Sequence, residues 1–356
     1  MSTKNEKEPL VVRERTFDKI KVEDLSNDVL DLIEKKKTIT INVDLDKTKK
    51  VSMASGSESD MPIMFKSIDD LANGNNVFFV GAAGTGKTTL AENIAWLLAG
   101  VDFNKSEEKT KHASQNGYPF VTINCNQWTS PTDLKGGQTI EGYKEGGMIE
   151  AWRDGKMLIL DEMPKLDPNT AGILNDALAK SGNEGAVIYN GLNNPIVKHK
   201  NFCCVATGNT TGKNTSENYV GNNKQDSSLL DRFSSSIYTV GFNISLEQRL
   251  IFPTVWDICN KIRNALNISG QDTEDIMTLR TMLNIQKSYI VEMLREIGEL
   301  PANQYGKTLK DAIDNYLENI DNNRIDEVKN AIDYNSFINS YKDVKAFSTS
   351  YKSRKQ

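Results

Sequence analysis

The chain has 356 residues, and its 43 Lys and Arg against 48 Asp and Glu give a formal net charge of −5. That length allows two or three domains with a sizeable core, and the mild acidity excludes the global basic character of a nucleic-acid binder, while a local basic patch stays open. No apolar run reaches membrane-spanning length, and the polar start Met1–Glu8 lacks a signal-peptide core.

Residues 1–61 read as an N-terminal extension and linker. Asp24–Ile33 is a candidate helix, Ile39–Leu45 alternates apolar and polar residues as a strand does, and Lys47–Asp60 is a polar linker rich in Ser and Lys. A short helix over 62–72 then leads into an apolar strand, Val77–Val80, and a helix follows that carries Leu90, Ile94, Leu97 and Leu98 to a stop near Gly100. Further strands are expected within Pro119–Asn124, Met157–Leu160, Phe202–Ala206 and Ser236–Val240. Continuous apolar strands separated by helical stretches predict an α/β fold, a parallel sheet with helices on both faces. Between them, Asp167 and Pro168 are a helix cap and first helical position, and the turn at Gly191 joins Ala186–Tyr189 to Pro195–Val197 as a hairpin. After Phe242 the strand signals fade. Leu246–Leu266 reads as helical with a break at Pro253. Thr278–Ile297, Thr308–Ile320 and Ile325–Ile338 continue a helical domain over 243–340, and 341–356 reads as a basic, polar, solvated tail. The four cysteines (Cys125, Cys203, Cys204, Cys259) lie in or beside apolar runs at no metal-ligand spacing, so buried, reduced thiols and a cytoplasmic setting are expected.

The chemistry concentrates at strand ends. Gly81-Ala82-Ala83-Gly84-Thr85-Gly86-Lys87-Thr88 fits G-x-x-x-x-G-K-T between a strand and a helix, and Thr89 follows. Glycines let the backbone curl so that consecutive N–H groups face a polyphosphate, and the helix start adds its positive dipole end. Lys87 reaches the β- and γ-phosphates, and the Thr88 hydroxyl is an Mg²⁺ ligand. The strand Met157–Leu160 ends in Asp161-Glu162, a second Mg²⁺ ligand followed by a carboxylate suited to polarise an attacking water. Asn209, after the next strand, offers an amide to that water or to the γ-phosphate. Arg232 either pairs locally with Asp231 or enters a neighbouring copy's site, and Arg280 is either a solvated helix arginine or a sensor of the phosphates.

This order of motifs resembles that of an AAA+ ATPase over about residues 62–283. The resemblance assigns Gly81–Thr88 as Walker A, Asp161-Glu162 as Walker B, Asn209 as sensor 1, Arg232 as arginine finger and Arg280 as sensor 2. It implies an AAA+ large domain over 62–242 and a helical lid after it. The finer resemblance is to the MoxR-type branch and its CobS-like members found in phage genomes. It is carried by Gly146–Ala151, by Asp167–Asn169 with Ile173–Leu178, and by Ala206–Gly212 through Tyr219–Gly221 to Leu230–Phe233. Thr129–Tyr143 would hold the helix-2 insert. Met163-Pro164 after Walker B departs from relatives, which usually carry Ile and a polar residue there. The resemblance implies ATP and Mg²⁺ as ligands and a hexameric homo-oligomeric ring in the cytoplasm, the host's if the chain is phage-encoded. Its substrate would be a partner protein, such as one with a von Willebrand factor A domain. The alternatives are a nucleic-acid-associated NTPase resembling McrB and a non-hydrolysing scaffold, the latter opposed by the intact Lys87, Asp161, Glu162 and Arg232.

Overall fold

The structure is a computed structural model and describes residues 20–21, 40–41, 63–103, 105–210, 225–242, 244–268, 277–300, 306–320 and 324–355. The expected helix Asp24–Ile33, the linker Lys47–Asp60 and the segment 211–224 lie outside the described residues. Of the expected strand Ile39–Leu45, Thr40–Ile41 is described, and it pairs antiparallel with Ile20–Lys21. The chain divides into two compact units, one of Met1–Ala82 with Gly86–Gly241 and one of Phe242–Gln356 with Ala83–Thr85.

The first unit is built on five parallel strands: β1 (Val77–Val80), β2 (Phe120–Asn124), β3 (Met157–Asp161), β4 (Cys203–Gly208) and β5 (Ile237–Thr239), in the spatial order β5-β1-β4-β3-β2. All four pairings are parallel, with Gly208 beside Val80 and Asn124 beside Asp161, so the chemistry-bearing strand ends line up. Alternation decides the layers. Val77, Phe79, Met157, Ile159, Cys203 and Val205 pack on one face with α1 (Ile63–Ala72) and α2 (Lys87–Leu98). Phe78, Leu158, Leu160, Cys204 and Ala206 pack on the other. There they meet α5 (Gly147–Asp154), α6 (Pro168–Ala179) and the short α7 (Ser227–Asp231). The central strands read as unbroken apolar runs because both faces are buried. Ser106–Asn116 forms a further helix, α3, and Pro131–Lys135 a short one, α4.

Two hairpins leave the sheet. Gly137–Thr139 pairs with Gly142–Lys144, and Val187–Tyr189 pairs with Pro195–Val197, the latter as the sequence predicts. The turn of the second hairpin meets the end of α4, just ahead of the first, where Gly191 N donates to Lys135 O at 2.9 Å. A Cβ on Gly191 would lie 1.9 Å from Gly136 O, so only glycine fits this crossing of two backbones.

The second unit is helical: α8 (Ile244–Leu250), α9 (Pro253–Ile268), α10 (Leu279–Glu296), α11 (Leu309–Leu317), α12 (Ile325–Ala331), α13 (Tyr334–Ser340) and α14 (Val344–Lys355). Pro253 opens α9, where its missing N–H has no helical partner to lose. The apolar-periodic stretch Ile325–Ile338 falls in two helices, α12 and α13, separated where Asp333 adopts a left-handed φ of 50°. The solvated tail expected from 341 is also corrected. Phe347 is 1% exposed and stacks on Phe252 at 5.2 Å, and the Tyr341 hydroxyl donates to the buried Glu292 at 2.8 Å. A polar composition hid one well-placed aromatic residue. A buried bidentate pair, Arg263 with Glu247 at 2.8 Å on each nitrogen, joins α8 to α9, and Arg263 Nε donates to Met277 O at 2.9 Å just ahead of α10. Among the described residues no helix is long and apolar enough to cross a membrane.

Candidate nucleotide site

The glycine-rich loop turns sharply between β1 and α2. Gly84 and Gly86 hold φ of 76° and 87°, a left-handed backbone that costs roughly 1–2 kcal/mol for a residue with a Cβ. Gly86 is the N-cap of α2 and makes no side-chain cap, so the orphan N–H groups of the first helical turn are open to an anion. Gly81 N donates to Gly208 O at 3.2 Å, which ties the start of the loop to the end of β4.

Four sequence-predicted residues converge here. Lys87 Nζ donates to Gly81 O at 2.9 Å, Ala82 O at 2.9 Å and Asn209 Oδ1 at 3.0 Å. Burial pulls the Lys87 ammonium pKa down, and the carboxylates of Glu162 and Asp161 partly oppose that. Thr88 Oγ1 donates to Asp161 Oδ1 at 2.5 Å. These are hard oxygen donors facing one another, the chemistry that Mg²⁺ takes. Among the described residues no group of three or more His, Cys, Asp or Glu could hold a metal by itself. One carboxylate and one hydroxyl completed by substrate phosphates is the usual Mg²⁺ arrangement, and these residues fit it. Ala82, Ala83, Thr85 and Thr89 line the same loop and helix start.

Glu162 follows directly, at φ 57° and ψ 40°. Its Oε2 is buried without a hydrogen-bond partner and lies 3.6 Å from Lys165 Nζ. Thr207 imposes this turn. Its hydroxyl donates to Asp161 Oδ1 at 2.7 Å and accepts from Glu162 N at 3.0 Å, so one fully buried side chain fixes both acidic residues. The unusual Met163-Pro164 also has a local reason. Met163 is fully buried, and a Cβ on Gly208 would meet Pro164 Cδ at 2.8 Å, so the turn after β3 is pressed onto the end of β4.

Arg232 lies at the end of α7. Asn76, just before β1, donates to Arg232 O at 3.2 Å and to Leu178 O at 3.1 Å, which fixes the backbone. Among the described residues no ion pair joins Arg232 to Asp231, whose Oδ1 instead accepts from Ser234 Oγ at 3.5 Å, and Arg232 Nε is buried without a hydrogen-bond partner. Arg280 is an exposed residue in the first turn of α10, after the Thr278 cap, where a cation opposes the helix dipole. It belongs to the second unit.

Sequence reasoning missed Thr207, Asn76 and Glu92. Glu92 stands one turn after Thr88 on α2, a spacing that puts both on one helix face. Its carboxyl is raised from the ordinary 4.5 by burial and then by the charge of Asp161, with Lys109 opposing. A raised folded-state pKa means the stability this group contributes is fully present below the unfolded pKa and is lost as pH rises through the folded one. Glu92→Gln is therefore expected to raise the melting temperature at pH 7.5 and to change it little near pH 4. An equal shift at both pH values, or a fall at pH 7.5, would count against this reading.

Residues 76–233 match the family described as AAA domain (dynein-related subfamily), a span that takes in Gly81–Thr88, Asp161, Glu162, Asn209 and Arg232 but not Arg280. A stretch of 189 residues is 29% identical to the Bacillus subtilis (strain 168) protein YojN, described as uncharacterized. The match covers 50% of this chain and 53% of that protein, so the chain spans about half the length of this curated relative. Among solved structures, the closed-state reconstruction of Hsp104 with ATPγS and FITC-casein aligns at 17% identity and a TM-score of 0.43, covering 66% of this chain and 45% of that one. NtrX from Brucella abortus aligns at 15% identity and a TM-score of 0.36, covering 72% and 64%. Residues 76–233 are thus similar to AAA domains, and the fold is a parallel α/β sheet covered by helices on both faces, followed in the chain by a helical region.

Proposed function

We propose that the chain is a Mg²⁺-dependent ATPase that works as a ring of copies and remodels a partner protein, in the manner of the MoxR-type and CobS-like branch. The observation that supports this most is the convergence of Lys87, Thr88, Asp161 and Asn209 within 3.0 Å contacts at the strand ends, with Glu162 beside them. In this reading the loop N–H groups and the start of α2 hold the polyphosphate. Lys87 exchanges the carbonyls of Gly81 and Ala82 for phosphate oxygens. Thr88 and Asp161 hold Mg²⁺, which when bound neutralises phosphate charge and orients it. Glu162 takes a proton from the attacking water, and Asn209 orients that water through its amide. Arg232 completes a neighbouring copy's site, and Arg280 of the second unit reports nucleotide state. Hydrolysis removes a phosphate contact, and the resulting shift between units is passed to the bound partner. A protein carrying a von Willebrand factor A domain is the proposed class of partner, and the cytoplasm is the proposed setting.

Phosphate release measured across protein concentration, with and without DNA, tests this reading. We expect Mg²⁺-dependent turnover that rises more steeply than linearly with protein and is indifferent to DNA. Turnover absent at every concentration would indicate a nucleotide-gated scaffold. Turnover stimulated by DNA and suppressed by salt would favour a McrB-like, nucleic-acid-associated NTPase.

A further inference from the structure

Two features of the first unit, tied to opposite edge strands of the five-stranded sheet, have no role in the chemistry above. One is Trp128, 82% exposed, in the loop after edge strand β2. The turn that carries it is held: Trp128 N donates to Asn126 Oδ1 at 2.8 Å, and Asn126 N donates to Thr129 Oγ1 at 3.0 Å. Behind it, α4 is closed by a capping box between Ser130 and Asp133. The root of the loop is fastened to the phosphate site, because Cys125 N donates to Asp161 O at 2.8 Å. The indole is thus presented on a held turn whose root is hydrogen-bonded to the end of β3.

The other feature is a cleft of about 730 Å³ walled by Pro168, Leu230 and Ile237, with Asp226, Asp231 and Ser234 also lining it. Ile237 belongs to β5, the opposite edge strand. Arg232 follows Asp231 directly. The cleft offers apolar walls for an aromatic ring and carboxylates to accept its N–H, which a buried indole requires.

We infer that Trp128 of one copy anchors in this cleft of the next. The inference rests on the reading of Arg232 as a residue supplied by a neighbour, and it names what delivers it. A projection tied to one sheet edge and a cleft walled by the other cannot satisfy each other within one chain, and joining them between copies is a head-to-tail contact. Such a contact always leaves one projection and one cleft free, so it repeats until a ring closes. It also has the right polarity. The projection is fastened to the phosphate site and the cleft lies next to Arg232, so docking brings the next copy's arginine toward the first copy's phosphates.

The test uses the full chain and two variants at exposed positions, Trp128→Ala and Ser234→Trp, the second placing an indole in the cleft. Assembly is read by sedimentation with a non-hydrolysable ATP analogue, and folding by melting temperature. Each variant alone is expected to keep the wild-type melting temperature and to need at least ~10-fold more protein for half-assembly, the scale of a tryptophan anchor. Trp128→Ala retains an open cleft and Ser234→Trp retains the projecting indole. An equimolar mixture is therefore expected to form pairs of two chains and no ring. Wild-type assembly by both single variants, with ATPase unchanged, would overturn the anchor and leave the ATPase reading standing. A wild-type protein that hydrolyses ATP as a single chain would overturn the anchor together with the role of Arg232.

Discussion

Replacing Glu162 by glutamine is expected to lower ATP hydrolysis by about 10²–10⁴-fold, the range for loss of a general base, while nucleotide binding stays near wild type. The geometry separates the two effects. Binding is assigned to the loop, Lys87, Thr88 and Asp161, and none of these depends on the Glu162 side chain for a hydrogen bond. Glu162 Oε2 has no hydrogen-bond partner, so the isosteric amide breaks no hydrogen bond there. The backbone argues in the same direction. A left-handed conformation at a non-glycine residue costs of order 1–3 kcal/mol and persists only where its surroundings enforce it. Here Thr207, Met163 and the contact of Pro164 with Gly208 enforce it. Held strain next to the metal-ligand candidate fits a carboxylate that must be aimed. Binding by fluorescence titration and turnover by phosphate release check the prediction, and a loss of affinity as large as the loss of rate would assign Glu162 to binding.

Arg232→Ala is expected to cost about 10³–10⁵ in turnover, the range for a guanidinium that neutralises charge on a transferring phosphoryl group. The fold has little stake in the side chain. The hydrogen bonds described at this residue are made by its backbone, the carbonyl accepting from Asn76 and the N–H donating to Leu229 O, and alanine keeps both, while the guanidinium has a buried Nε with no partner. The melting temperature should therefore hold while activity collapses. Arg232→Lys should rescue poorly, since an ammonium lacks the planar fork that grips two phosphate oxygens. Turnover near wild type in Arg232→Ala would remove this residue from the site.

Much of the first unit was legible because its core strands are buried on both faces, and Val77–Val80, Met157–Leu160 and Phe202–Ala206 announce that with unbroken apolar runs. The turn of the glycine-rich loop was legible because its backbone needs glycine where φ is positive. What escaped had no such mark. Helix α3 buries no residue, so its sequence carries no apolar period. The hairpin over 137–144 is polar and rich in glycine, and neither strand alternates buried with exposed residues. In the second unit, Phe347 is the buried residue among those of α14 whose burial is described, within an otherwise largely polar stretch. Thr207 could have been found as a polar residue inside a strand whose neighbours are all apolar, and Glu92 as the residue one helical turn beyond Thr88. Asn76 leaves no sequence signal, since its partners Leu178 and Arg232 are distant in the chain.

The central claim is that each hydrolysis site is shared between copies, with Glu162 from one and Arg232 from the next. Mixing the two inactive variants, Glu162→Gln and Arg232→Ala, tests it directly. In a mixed ring, an Arg232→Ala copy with its own Glu162 can sit beside a Glu162→Gln copy that still carries Arg232, and that junction has a complete site. The account predicts that turnover, negligible in either variant alone, reappears on mixing and peaks near equal proportions. Mixtures that stay as inactive as their components, in particles shown to contain both chains, would contradict it.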